Sequence, residues 1–102
     1  MLLREARVVW PVNAQGHRRL RREFVQHFGG YTETEGRGGW MNNAGELEQE
    51  QVRVYDVAMP PVEKNDALLR HIVRAVLNDS REAAAYVRYA NGEVEIVDRD
   101  EA

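Results

Sequence analysis

Two segments of helical spacing, each set between strand-like runs, constrain this chain more than any other feature. From His17 onward Leu20, Phe24, Val25 and Phe28 recur at three- and four-residue steps, while Arg18, Arg19, Arg21, Arg22 and Glu23 take the remaining positions. Gly29-Gly30 supplies a helix stop. Leu68, Leu69, Ile72, Val73, Val76 and Leu77 form a second stripe of the same period. Asn65 or Asp66 is placed to cap it, and Asn78-Asp79-Ser80 breaks it. Each stripe must be buried against something, and the runs around them say what.

Those runs have strand composition. Val8, Val9, Trp10 and Val12 crowd the segment Arg4 to Val12, which stops at Pro11 or just after it; Asn13 then stands as a helix N-cap, or Gly16 starts a short connection and the helix begins later. Tyr31 to Glu35 reads as a strand that meets the glycine-rich run Gly36-Arg37-Gly38-Gly39. Asn42-Asn43-Ala44-Gly45 has the composition of a hairpin tip, and the extended segment Glu46 to Met59 ends at Pro60-Pro61. Ala84 to Tyr89 and Glu93 to Val97 flank Ala90-Asn91-Gly92, a strong hairpin signal. The triple Ala83-Ala84-Ala85 would equally extend the second helix, and the acidic end from residue 98 to 102 is expected to fray.

The order strand, helix, strand, strand, helix, strand, with an extra C-terminal strand, predicts an α+β, ferredoxin-like split βαβ fold. Two helices would cover one face of an antiparallel sheet in a single domain spanning residues 1–102. Apolar residues fall on both parities in Val8–Val12 and Val52–Met59, so the second sheet face also asks for cover. Subunits covering each other's sheets supply it, and a homo-oligomer is expected.

The chain has no cysteine, which excludes disulfides, thiol catalysis and zinc–thiolate sites and fits a reducing compartment. No apolar run approaches a membrane span and no signal peptide is legible, so a cytoplasmic protein without a membrane partner is expected. Net charge is −3, but residues 1–40 carry seven Arg against four Glu, and the remainder is acidic. Thirteen of the fourteen basic residues are Arg, a bias that a high-GC genome also produces. A solvated helix face accounts for the arginines of the first helix better than nucleic acid does.

The glycine run carries the candidate site. Gly36 to Gly39, read as a turn, would offer successive backbone N–H groups to an anion, with Arg37 adding a guanidinium fork. Trp40 would stack a base, or else anchor a core or an interface. His17, His27 and His71 lie at unrelated spacings, and no metal site is expected. Glu33 and Glu35 share a strand face, as do Glu46, Glu48 and Glu50, and both rows read as solvated charge. There is no nucleophile elbow, and the only serine, Ser80, sits at a helix break, so catalysis is not expected.

In layout the chain resembles the nitrogen-regulatory PII proteins and their PII-like relatives. Gly30-Tyr31-Thr32 matches that family's Gly-x-Thr strand and Gly36-Arg37-Gly38 its Gly-x-Gly turn. Val52 to Met59, followed by Pro60, matches its long third strand. The resemblance implies a trimer that binds adenine nucleotides in clefts between subunits, with Gly36 and Gly38 at the phosphates and Thr32 beside the base. The run Gly-Gly-Tyr-Thr…Gly-x-Gly-x-Trp also resembles small uncharacterised proteins of phages and mobile elements. The expected function is therefore a non-enzymatic protein that sequesters or senses a small anionic, nucleotide-like ligand. Its ligand-binding residues would be Thr32, Gly36, Arg37, Gly38, Gly39 and Trp40, and no cofactor is called for. The competing expectation is a protein–protein interaction module, such as a phage-encoded inhibitor of a host defence system.

Overall fold

Seven elements follow one another along the chain in a computed structural model that describes residues 1–100. They are β1 (Arg4–Pro11), α1 (His17–Phe28), β2 (Thr32–Met41), β3 (Leu47–Met59), α2 (Glu63–Ser80), β4 (Ala84–Arg88) and β5 (Val94–Asp98). The strands form one antiparallel sheet in the order β2-β3-β1-β4-β5. This is the ferredoxin-like α+β arrangement with an added fifth strand at the edge.

Period-two alternation divides the sheet's side chains between two faces. Ala6, Val8 and Trp10 of β1, Tyr55, Val57 and Met59 of β3, Ala85 and Val87 of β4 and Val97 of β5 point toward the helices and are buried. Leu20 and Phe24 of α1 meet them, together with Leu69, Ile72, Val73, Val76 and Leu77 of α2. The helical stripes read from the sequence are thus the helix half of the core. Phe24, Tyr31 and Tyr55 pack as tilted aromatic rings with centroids 5.6 to 6.4 Å apart.

α1 stops at Gly29, as the sequence suggested, and begins at the later of the two starts the sequence offered, after Gly16 and not Asn13. Gly16 has φ 105°, a left-handed backbone that glycine adopts freely, and a Cβ there would lie 2.8 Å from Val76 Cγ1. Beside it, the Trp10 indole N–H donates to the Gln15 carbonyl at 2.8 Å. His17 ties three elements together. Its Nε2–H donates to the Pro11 carbonyl at 2.8 Å, and its Nδ1 shares a hydrogen bond of 2.5 Å with the Tyr55 hydroxyl. Burial pushes the Tyr55 hydroxyl up to about 12, which keeps it a donor.

α2 begins after Val62, and Asn65 instead donates its side-chain amide to the Pro60 carbonyl. The helix runs through Asn78-Asp79-Ser80 and stops at Arg81, which takes φ 62°, the one positive φ at a non-glycine among the described residues. The triple alanine enters β4, not the helix. The C-terminal segment is tied down as far as it is described: Arg99 N–H donates to the Ala83 carbonyl and Asp100 N–H to Asn78 Oδ1. The expected fraying of residues 101–102 lies outside the described residues. Among those residues, no helix is long and apolar enough to cross a membrane.

Glu33 and Glu35 lie on the helix side of the sheet, where Glu33 is largely covered and Glu35 remains exposed to solvent as expected. Arg21 makes a two-pronged contact with Glu33 at 2.8 and 3.0 Å, and Arg53 reaches both carboxylates. Hydrogen bonding from Arg21 holds the Glu33 carboxyl below its ordinary range, and Arg70 and Tyr89 do the same for Glu95. A carboxylate whose folded pKa is depressed contributes stability above its unfolded pKa, and that contribution is lost as pH falls through the folded value. Thermal melts should therefore hold steady near neutrality and fall as pH drops below about 4. In Glu33→Gln/Glu95→Gln the acid limb should be visibly shallower; an unchanged slope would show that these pairs do not set it.

Candidate functional site

The sheet face away from the helices has no covering layer within the chain. Cross-strand register orders its residues into rows. One row runs Thr32, Asp56, Arg7, Arg88 and Val94, and the next runs Thr34, Val54, Val9, Tyr86 and Ile96. A third holds Gly36, Val52 and Pro11, followed outward by the Gly38–Glu50 and Trp40–Glu48 pairs. The middle of this face is apolar, and much of it is open to solvent: Ile96 is 57% exposed and Tyr86 36%.

A cavity of about 830 Å³ lies on this face, large enough for a nucleoside-sized ligand. Val9, Val52, Val54 and Ile96 give it an apolar floor; Gly36, Gly38 and Trp40 form one side; Glu82 to Tyr86 form the other. Arg7 borders it but is already held by Asp56, through two contacts of 2.8 and 3.1 Å. Glu50 projects into the same space from β3 and has no cation within ion-pair distance among the described residues. Burial raises its pKa above the ordinary carboxylate value, and the nearby charges of Glu82 and Glu48 add to that.

The predicted binding residues are divided by the structure. Gly36, Arg37, Gly38, Gly39 and Trp40 all border the cavity, whereas Thr32 lies beyond it at the far end of β2. The expected Gly36–Gly39 turn does not exist: every residue from Thr32 to Met41 is paired with β3. The turn is instead at the hairpin tip, where Asn42 Oδ1 accepts N–H groups from Ala44 and Glu46 and Gly45 takes φ 79°. A continuous strand alternates its side chains, so Arg37 belongs to the face opposite Gly36, Gly38 and Trp40, and no nest of convergent N–H groups forms. Arg37 also borders a recess of about 200 Å³ with Glu35 and Gln51.

Gly36 and Gly38 have ordinary strand backbone, and a Cβ would meet Val52 at 3.4 and 3.6 Å, normal contact distances. Neither φ nor packing within the chain requires glycine there. What the two glycines do is leave the cavity floor bare, so that another body can approach the backbone closely. The residues that sequence reasoning missed are Glu50, Glu82 and Tyr86. Glu50 stood in an apparently solvated row, and Glu82 carried no signal beyond its place between a helix end and three alanines. Among the described residues no group of three His, Cys, Asp or Glu is arranged to hold a metal ion.

The fold and this open-face cavity define a class: a ferredoxin-like α+β protein with a nucleoside-sized hollow on its bare sheet. No family model and no curated protein matches the chain. Among solved structures it is similar to a phage SAM lyase in complex with S-methyl-5'-thioadenosine, with a TM-score of 0.67 and 13% identity over 98% of this chain and 92% of that one. The likeness is one of fold. It overturns the expectation that a chain of this kind is not an enzyme, because a lyase is built on the same arrangement across nearly its whole length. It agrees with the resemblance to phage proteins, and membership of the PII family itself finds no support in it.

Proposed function

We propose that the open-face cavity binds an S-adenosyl ligand and that the chain is a lyase acting on S-adenosylmethionine. The observation that carries this reading is the cavity itself: an apolar floor, two bare glycines, an indole and carboxylates without cation partners among the described residues, on a fold shared with a lyase. In release of S-methyl-5'-thioadenosine a carboxylate oxygen of the substrate's own amino-acid arm attacks the carbon bonded to sulfur; a C–O bond forms and closes a lactone as the C–S bond breaks and its electron pair returns to sulfur. A sulfonium cation becomes a neutral thioether. An apolar floor of Val9, Val52, Val54 and Ile96 favours loss of that charge, since it solvates the cation poorly. Trp40 and Tyr86 offer flat faces to the adenine. Glu50 provides the negative charge that orients the sulfonium above the floor.

The same reading includes self-association, with a trimer as the first arrangement to test. Tyr86, Val94 and Ile96 leave apolar surface on the bare sheet, and a second copy laid there would close the cavity from above. The experiment is incubation of the purified protein with S-adenosylmethionine and chromatographic detection of S-methyl-5'-thioadenosine. The parent should release it, and Glu50→Gln should slow release by about a hundredfold. No release above the uncatalysed background would overturn the proposal.

A further inference from the structure

We propose that Glu82, standing across the cavity from Glu50, makes the site select a positively charged nucleoside over its neutral counterpart. This rests on the reading of the cavity as a nucleoside site. Glu50 comes from β3 and Glu82 from the junction between α2 and β4, so two elements far apart in sequence bring like charges to one hollow. Both side chains are half-buried, and neither is within ion-pair distance of Arg, Lys or His among the described residues. Glu48 accepts from Asn42, Arg37 borders the cavity but alternates to the far side of β2, and Arg99, beside Glu82, donates its guanidinium to the Arg81 carbonyl. Arg7, the remaining cation on the wall, is occupied by Asp56. Glu50 and Glu82 are thus two acidic groups without ion-pair partners among the described residues that border one cavity, over an apolar floor that resists burying charge.

The chain reaches this arrangement through Arg81, whose left-handed backbone turns the end of α2 so that Glu82 enters the cavity wall directly before the three alanines. Two unpaired carboxylates repel each other in an empty cavity, and a cation placed between them relieves that repulsion as well as gaining attraction to each. A neutral thioether of the same shape gains neither. Charge discrimination is thus assigned to Glu82 and Glu50 jointly, and shape recognition to the floor, the glycines and the aromatic rings.

Calorimetric titration with S-adenosylmethionine, which is cationic at sulfur, and with S-adenosylhomocysteine, its neutral thioether, separates these roles. The parent should prefer the sulfonium ligand. Glu82→Gln should weaken that ligand on the order of tenfold while changing the thioether by less than about twofold, and Glu82→Lys should weaken the sulfonium ligand further. Raised salt should narrow the parent's preference. If the parent binds both ligands and Glu82→Gln leaves their ratio unchanged, or weakens both equally, the role of Glu82 is overturned while the nucleoside site stands. If the parent binds neither, the site reading fails and this inference with it.

Discussion

Gly38→Val is expected to keep or raise the stability of the protein while removing its ligand. Gly38 lies inside a regular strand, paired with Glu50, and a Cβ there would sit 3.6 Å from Val52 Cγ1. A β-branched residue suits a pleated strand, and glycine in a strand interior costs about 0.5–1 kcal/mol relative to a residue with a side chain. Its side chain, however, would stand on the cavity floor beside Val52, in space the ligand needs. An overlap of that size costs about 1–3 kcal/mol, roughly a five- to hundredfold loss of affinity. Thermal melts with titration of S-methyl-5'-thioadenosine read both halves of the result. Unchanged binding would place the ligand away from this floor, and a collapsed melting temperature would show that the glycine serves the fold.

The largest loss of stability should come from Trp10→Ala. Trp10 is fully buried among the core residues, and its ring N–H is bonded to the Gln15 carbonyl beside the start of α1. Removing an indole from such a site costs about 3–5 kcal/mol, a large share of the roughly 5–15 kcal/mol that holds a domain together. Trp10→Phe keeps much of the volume but leaves the Gln15 carbonyl without its donor, adding a loss near 1 kcal/mol to the smaller packing defect. Urea unfolding should rank the parent, then Trp10→Phe, then Trp10→Ala. If the alanine variant unfolds within about 1 kcal/mol of the parent, β1 does not anchor α1 through this ring.

The two helices were legible because their apolar stripes are long and regular, and the Asn91-Gly92 hairpin because its turn chemistry is local. The start of α2 was not, and that of α1 stood open between Asn13 and Gly16. Gly16 is chosen by crowding against Val76 and Trp10, which only the packed molecule contains. Gly36 to Gly39 read as a turn because composition is judged locally, whereas ten consecutive pairs with β3 hold the run extended. The same mechanism misled the chemistry. Strand pairing sends Arg37 to the face away from Trp40, and Glu50 meets Glu82 only after the sheet order is known. The apolar demand of a second sheet face was visible in the double parity of Val8–Val12 and Val52–Met59, and the cavity occupies that face.

The pairing of β3 is lopsided. Val52 to Asp56 lie between β1 and β2 and Val57 to Met59 are paired with β1 alone, whereas Leu47 to Gln51 are paired with β2 alone. Two-stranded ribbons are marginal by themselves, so this outer part is the region that opens at least free energy. Gly38, Trp40 and Glu50 all sit on it. Val9, Val52 and Val54 of the cavity floor thus belong to the tight centre of the sheet and one wall to a hinged flap, and whatever fills the hollow also fastens the flap.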